Sequence, residues 1–449
     1  MSQRSNPPTE VVMAVTLIPQ KTERRSRNRI QDSFSVDIFS DHLATTAQTL
    51  NISEEGLSLL ASKNFQPSSR LHLSLRLGQS PTRPTRFASA RIVWSEAVKR
   101  EEFVYGLNFL EIDDQDRLVL QEKIARREKI IVASYLPETT VRNEDIIKAA
   151  GLDTNPVAIQ RSLGAIERRA ADPNTTAAAM MAKVADRILR KAALSPLDLD
   201  RIICLTNPGD SAEPDTSIAV QEMIGAKCPA FGISMSCTGW IMAVDVALRY
   251  LATGEKRILV MAASTMGSRP YFHNLMHRAI FGDGAGGMLV ESHHQKNILS
   301  IAEIADGKYY SKIFLPYPWS QKPIDIPDKY RGSFYMSSDQ EAFFSAMDHY
   351  LPTFTDRLLE KAGVTFRDID LYLLHYPSKP LFEHSVKVLN LPRRKILSNY
   401  QRYGNLVAAE IPILMEEALE SGLAKSGNLL FILTYGAGFT MGGMIIRVP

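Results

Sequence analysis

Cys237 stands in Ser234-Met235-Ser236-Cys237-Thr238-Gly239-Trp240, and His375 and Asn405 follow it at distances that let a folded chain bring all three together. The apolar run Ala230 to Met235 reads as a buried strand and Ile241 to Leu251 as a helix, which sets Cys237 at a strand-to-helix turn. Backbone N–H groups at such a helix start favour a thiolate over a thiol. A lone buried cysteine is ordinarily an inert small hydrophobe, so its companions decide the reading. His375 closes the apolar strand Leu371-Tyr372-Leu373-Leu374, and Asn405 lies in Tyr403-Gly404-Asn405-Leu406-Val407-Ala408-Ala409-Glu410-Ile411-Pro412. Taken singly, a satisfied core histidine and a helix-capping asparagine account for them. Taken together, a cysteine that accepts an acyl group beside two neutral donors for an enolate oxygen fits decarboxylative carbon–carbon bond formation on thioesters.

Further motifs accompany these residues. Ile131 to Thr139 reads as an opening strand and turn, Arg161 to Arg169 is RSLGAIERR, Phe281 to Gly287 is FGDGAGG and Tyr435 to Gly442 is YGAGFTMG. In this order, with Cys237 in CTGW and Asn405 in YGN, they resemble the type III β-ketoacyl-acyl-carrier-protein synthases, within the thiolase-like condensing enzymes. The resemblance runs from Ile131 to the C-terminus and implies an α/β fold of two similar halves, about 130–300 and 301–449, and a homodimer.

It also implies roles. Cys237 takes an acyl group from a coenzyme A or acyl-carrier-protein thioester, its carbonyl held by the N–H groups of Cys237 and Ala437. His375 and Asn405 bind a malonyl thioester, and Arg161 and Arg278 contact coenzyme A. No cofactor or metal is implied. Where the family has Q-A-N-x-R after the histidine, this chain has Tyr376-Pro377-Ser378-Lys379-Pro380, and Lys379, Lys387, Arg393, Arg394 and Lys395 keep the neighbourhood basic, as docking of an acidic carrier protein requires. Two other functions remain open: acyl transfer to oxygen or nitrogen without decarboxylation, and a signalling scaffold that binds acyl groups without turnover. A papain-like protease also uses Cys, His and Asn, but its cysteine lies in a C-G-S-C-W setting near the start of the enzyme.

Upstream, Glu23-Arg24-Arg25-Ser26-Arg27-Asn28-Arg29 precedes Asn51-Ile52-Ser53-Glu54-Glu55-Gly56. An R-x-x-x-R motif followed by [D/N]-x-S-x-x-G resembles the PilZ domain, which implies a small all-β barrel that binds cyclic di-GMP. Arg25 and Arg29 would fork onto phosphates or a guanine edge, with Asn51 and Ser53 at a turn made tight by Gly56. Leu71 to Leu77 alternates apolar and polar residues as a half-buried strand does. Ala90 to Trp94 and Val104 to Phe109 resemble the later strands of that family, and Asp113 to Lys129 reads as its closing helix.

Composition agrees with this division into an arm (1–20), a barrel domain (21–129) and a condensing domain (130–449). The 449 residues are 45% hydrophobic, enough for more than one core. A net charge of +3 is too small to imply a nucleic-acid polymer as partner, and three cysteines make no disulfide framework. Cys204 and Cys228 sit in apolar strand-like settings as packed thiols. Val11 to Ile18 is too short to span a bilayer and reads as a strand or arm, so a cytoplasmic protein with reduced thiols is expected.

Overall fold

The computed structural model describes residues 35–40, 43–53, 55–66, 69–75, 86–99, 102–127, 129–151, 153–268, 275–314 and 337–449. The 1–20 arm, Val11 to Ile18, Arg25 and Arg29 lie outside the described residues. The chain divides into two compact units that part between Leu120 and Gln121.

The first unit is a closed barrel of six strands. Its order is Ser35–Ser40, Leu43–Ile52, Gly56–Ala61, Glu102–Ile112, Arg86–Lys99 and Arg70–Leu75, and the last pairs back onto the first. All pairings are antiparallel, as short alternating strands joined by turns favour, and closure leaves no unpaired edge. Val36, Ile38, Leu57, Leu59, Leu71, Leu73, Tyr105 and Leu107 point inward and are buried. Tyr105 keeps its hydroxyl satisfied by accepting from the Phe65 N–H at 2.8 Å and donating to the Lys63 carbonyl at 3.0 Å. The helix Asp114–Arg127 follows the barrel.

The second unit is built on two five-stranded sheets of one design. The first runs Ala230–Ile233, Arg201–Asn207, Arg257–Thr265, Asp283–Glu291, Ile131–Tyr135; the second runs Ile396–Leu397, Leu371–Leu374, Leu429–Gly436, Thr440–Arg447, Ile298–Ala305. In each, three parallel strands are followed by two antiparallel ones, so the duplication is visible in topology. The helices Gly239–Ala252 and Glu410–Glu420 share one core with strands of both sheets. Trp240, Ile241, Val244, Ala247, Ile411, Leu414, Met415 and Ala418 fill that layer, and a helix apolar on most sides is one that must lie between two sheets. Ala177–Ala192 packs on the first sheet and Gln340–Ala362 on the second, in separate cores.

Candidate active site

Each central helix begins at the site. Strand Ala230–Ile233 ends before Met235, and the Gly239 N–H closes a turn on the Ser236 carbonyl at 2.9 Å before helix Gly239–Ala252 starts. Cys237 therefore stands at the head of a buried helix, partly exposed, whereas Cys204 and Cys228 are buried. Burial pushes the Cys204 and Cys228 thiols up, which keeps both as neutral packed groups. Cys237 rests against an apolar cluster of Met266, Phe281 and Val407.

The glycine-rich C-terminal hairpin reaches the same point. Strand Leu429–Gly436 is buried along its whole length, and a methyl group on Gly436 would stand 2.5 Å from Ser236 Oγ and 3.2 Å from both Cβ and N of Cys237. Gly436 lets the hairpin approach this closely, and Ala437 follows it in the chain. The Ala437 carbonyl accepts from Thr440 Oγ1 at 3.1 Å, and Thr440 Oγ1 lies 2.9 Å from Thr238 Oγ1, tying hairpin to helix start.

His375 follows strand Leu371–Leu374, its N–H on the Leu433 carbonyl at 2.9 Å, and it is fully buried. Its Nδ1 lies 2.5 Å from Oε2 of Glu410, the first residue of the second central helix and itself 0% exposed. The Tyr376 N–H donates to the same oxygen at 3.2 Å. Burial pulls His375 down, but the Cys237 sulfur and the Glu410 carboxylate outweigh it and raise the imidazole to about 10. Burial raises Glu410, and His375 and the Tyr376 N–H pull against it. Nδ1 is taken, and Nε2 has no partner in hydrogen-bonding geometry among the described residues.

Asn405 is placed by backbone. Its N–H donates to the Ile280 carbonyl at 2.8 Å, and its carbonyl accepts from the Gly282 N–H at 3.1 Å. The two chains cross closely: a methyl group on Gly282 would overlap the Tyr403 carbonyl oxygen, and one on Gly404 would stand 2.6 Å from the Ile280 oxygen, with φ already +70°. The FGDGAGG and YGN motifs are thus one interlock. Asp283 anchors it, accepting from the Gly267 N–H at 2.7 Å and the Ala171 N–H at 2.8 Å. Asn405 Oδ1 accepts from the Val407 N–H at 2.7 Å, and Nδ2 reaches only a long 3.4 Å contact with the Pro377 carbonyl. That bond fixes which end of the amide is the donor, and it holds Val407 at φ +55°, an uncommon conformation for a β-branched residue.

The prolines after His375 have simple roles. Pro377 supplies the carbonyl that Asn405 meets, and Pro380 opens helix Lys379–Val388, where a missing N–H costs nothing. Of the basic residues nearby, Arg393 is paired with Glu383, Lys395 Nζ donates to the Ile369 carbonyl, and Lys379 Nζ donates to the Arg161 carbonyl at 3.2 Å. Arg161 lines a cleft of about 660 Å³ with Asn155, Val157, Ala158 and Ser162. Arg278 is exposed on helix Leu275–Ile280, whose Ala279 packs with Ile159 and Leu163 of the Arg161 helix.

Glu410 is the residue that sequence reasoning passed over. Its signal was present: a carboxylate in the apolar stretch Leu406 to Leu414 on a helix that must be buried needs a cationic or donor partner. Among the described residues, Glu291, His293 and His294 form a cluster of metal-ligating types, but His294 Nδ1 takes the Glu291 N–H at 3.3 Å and Nε2 lies 3.1 Å from the Lys129 carbonyl.

In the barrel, Gly56 closes the turn between Leu43–Ile52 and Gly56–Ala61 and also has a second role. It starts strand Gly56–Ala61, and a methyl group there would overlap the Leu107 carbonyl oxygen, so close strand approach is what requires glycine. Ser53 donates its N–H and hydroxyl to the Gly56 carbonyl at 2.7 and 3.2 Å. Asn51 sits at a register shift between Leu43–Ile52 and Gly56–Ala61, and its Oδ1 has no partner among the described residues. No described helix is long and apolar enough to cross a membrane.

Comparison with known proteins divides the chain the same way. The PilZ domain family matches residues 23–126. The family described as 3-oxoacyl-[acyl-carrier-protein (ACP)] synthase III matches 231–307, and its C-terminal family matches 359–448. The chain is 31% identical over 326 residues to beta-ketoacyl-[acyl-carrier-protein] synthase III of Streptococcus sanguinis, covering 71% of this chain and 98% of that protein. It is 33% identical over 321 residues to the same-named protein of Caldanaerobacter subterraneus, covering 70% and 95%. The crystal structure of 3-oxoacyl-[acyl-carrier-protein] synthase III from Aquifex aeolicus superposes with a TM-score of 0.61 at 31% identity, covering 71% of this chain and 99% of that one. With two matched sheets and a cysteine at the head of a central helix, the chain belongs to the β-ketoacyl-[acyl-carrier-protein] synthase III family and carries a PilZ domain ahead of it.

Proposed function

We propose that this protein is a cyclic di-GMP-responsive condensing enzyme that acylates Cys237 and extends the acyl group with a malonyl thioester. The observations that carry the reading are that Cys237 heads one central helix and bears on His375, that Glu410 heads the other and meets His375, and that Cys237 packs against Phe281 and Val407, the residues that bridge to Asn405 and bond its amide. The Cys237 thiolate attacks the carbonyl of an acyl thioester, and the coenzyme A or carrier thiolate leaves. The N–H groups of Cys237 and Ala437 hold the developing oxyanion, a use supported by the close approach of Gly436 to Cys237. A malonyl thioester then binds with its carbonyl oxygen at His375 and Asn405. Its carboxylate departs as carbon dioxide, the freed electron pair forms the enolate, and the enolate carbon attacks the acyl-cysteine to release the Cys237 thiolate. Arg161 and Arg278, on adjacent packed helices, bind the coenzyme A phosphates.

Cyclic di-GMP is bound by Arg25, Arg29, Asn51, Ser53 and Gly56. The PilZ match spans both motif halves, and the unpartnered Asn51 Oδ1 beside a bulge supports a ligand contact there. The test is intact-mass measurement with a panel of acyl thioesters, followed by carbon dioxide release from a malonyl thioester. Acyl mass on wild type and none on Cys237→Ala is expected, and acyl mass retained by the alanine variant removes Cys237 as nucleophile. Acylation without carbon dioxide release would replace condensation by simple acyl transfer.

A further inference from the structure

The proposed condensation asks two things of His375 that a neutral imidazole in this setting cannot both do. Glu410 Oε2 lies 2.5 Å from Nδ1 and also accepts the Tyr376 N–H at 3.2 Å, which makes that oxygen an acceptor and puts the proton on Nδ1. The neutral ring then presents a lone pair at Nε2. That lone pair can take a proton from Cys237, but it cannot donate a hydrogen bond to a thioester oxygen. An imidazolium does both jobs in turn.

We infer that Glu410 is a positioning residue that holds His375 as an imidazolium and sets up a proton relay from Cys237. The Cys237 S–H gives its proton to His375 Nε2, leaving a thiolate, while the Nδ1–H stays on Glu410. When the sulfur is acylated its charge disappears, but Glu410 retains the proton on the ring. The imidazolium then donates Nε2–H to the carbonyl of the second thioester, and a charged donor stabilises an enolate oxygen more than a neutral one. The inference rests on Cys237 being the nucleophile.

The surroundings leave the relay without a competing charge among the described residues. Tyr435 faces the His375 ring edge-on at 6.2 Å, and its hydroxyl is taken by Ser385 Oγ at 3.2 Å and the Leu381 carbonyl at 3.4 Å. Burial raises Tyr435, Tyr376 and Tyr400 well above the usual tyrosine range, so all three stay neutral. On the Glu410 helix, Glu416 is paired with Lys191 and Glu417 with Arg402. Glu410 itself stands at the positive end of that helix, with the Tyr376 N–H on the same oxygen that meets His375. Its buried charge therefore has His375 as its one cationic partner among the described residues, an arrangement that burial alone would forbid.

The decisive variant is Glu410→Gln, whose amide oxygen accepts from Nδ1 and from the Tyr376 N–H but carries no charge. The pH dependence of Cys237 alkylation by iodoacetamide should move upward by about one pH unit or more. Decarboxylation of malonyl thioester should fall about 10- to 100-fold in kcat, with KM changed far less. In parallel, nitrogen-15 NMR of histidine-labelled wild type, assigned with His375→Gln, should read both ring nitrogens of His375 as protonated at neutral pH. Superimposable alkylation profiles, or a neutral His375 ring in wild type, overturn the inference. If Glu410→Gln fails to fold, the wild-type NMR decides alone. The acyl-mass assay keeps the two readings apart: a protein that never acylates loses the condensing function and the relay with it, whereas the imidazolium signal and the alkylation shift report the hold of Glu410 on His375 by themselves.

Discussion

Replacing Gly436 by alanine separates site geometry from fold stability. The added methyl would stand 2.5 Å from Ser236 Oγ and 3.2 Å from Cβ and N of Cys237. The serine hydroxyl can rotate away at little cost. The cysteine backbone cannot, because Ser236 accepts the Gly239 N–H at 2.9 Å and the strand behind Gly436 is paired with Thr440–Arg447 and buried throughout. Overpacking relieved by shifts of a few tenths of an ångström costs about 1–3 kcal/mol, which lowers the melting temperature by a few degrees in a domain of this size. Chemistry is more sensitive. A misplacement of ~1 Å costs roughly 100-fold in rate, so displacing the proposed nucleophile by part of that distance should slow acylation about 10-fold or more. Rapid-quench intact-mass measurement of acyl-Cys237, beside a melting curve by circular dichroism, reads both quantities. A variant that acylates at the wild-type rate would refute the claim that Gly436 sets the cysteine against its oxyanion donors.

Asn405→Ala should strand the buried Val407 N–H at φ +55° and destabilise the protein by about 1–3 kcal/mol, while acylation survives and carbon dioxide release is lost. Unchanged carbon dioxide release would remove Asn405 from the enolate site. Arg29→Ala or Arg25→Ala should weaken cyclic di-GMP by about 1.5–3 kcal/mol, more than tenfold by calorimetry. Absence of binding by the intact chain would withdraw the sensor. If the nucleotide regulates the enzyme, saturating cyclic di-GMP should change acyl-thioester affinity by roughly 5- to 150-fold, and equal affinities with and without it would leave the PilZ domain some other task.

The site was legible where local pattern carries the chemistry. The apolar run from Ala230 and the CTGW turn placed Cys237 between strand and helix, and the structure has that strand at Ala230–Ile233 and the helix at Gly239–Ala252. His375 at the end of Leu371–Leu374 was read the same way, because a four-residue apolar run ending in a polar side chain marks the edge of a buried sheet. Alternation marked the strand at Arg70–Leu75 and the PilZ resemblance marked parts of Arg86–Lys99 and Glu102–Ile112, while Ser35–Ser40, Leu43–Ile52 and Gly56–Ala61 went unmarked. Arg86–Lys99 runs well beyond the marked segment because pairing with Glu102–Ile112 extends a strand past its apolar core. The duplicated sheets left no sequence repeat because topology constrains pairing order and direction, not side-chain identity.

The sequence by itself determined the elements, the cysteine at a helix head and the two families that share the chain. Only the tertiary structure decided how those parts act on one another. Glu410 became the partner of His375 because a helix buried between two sheets brings residues 35 apart to 2.5 Å, where each ion needs the other. Gly282 and Gly404 became an interlock, and Gly56 a close strand contact, because crossing distances between backbones exist only once the sheets have formed. Hydrophobic periodicity is written along the chain, but the proton state of a buried imidazole depends on which charges surround it in space.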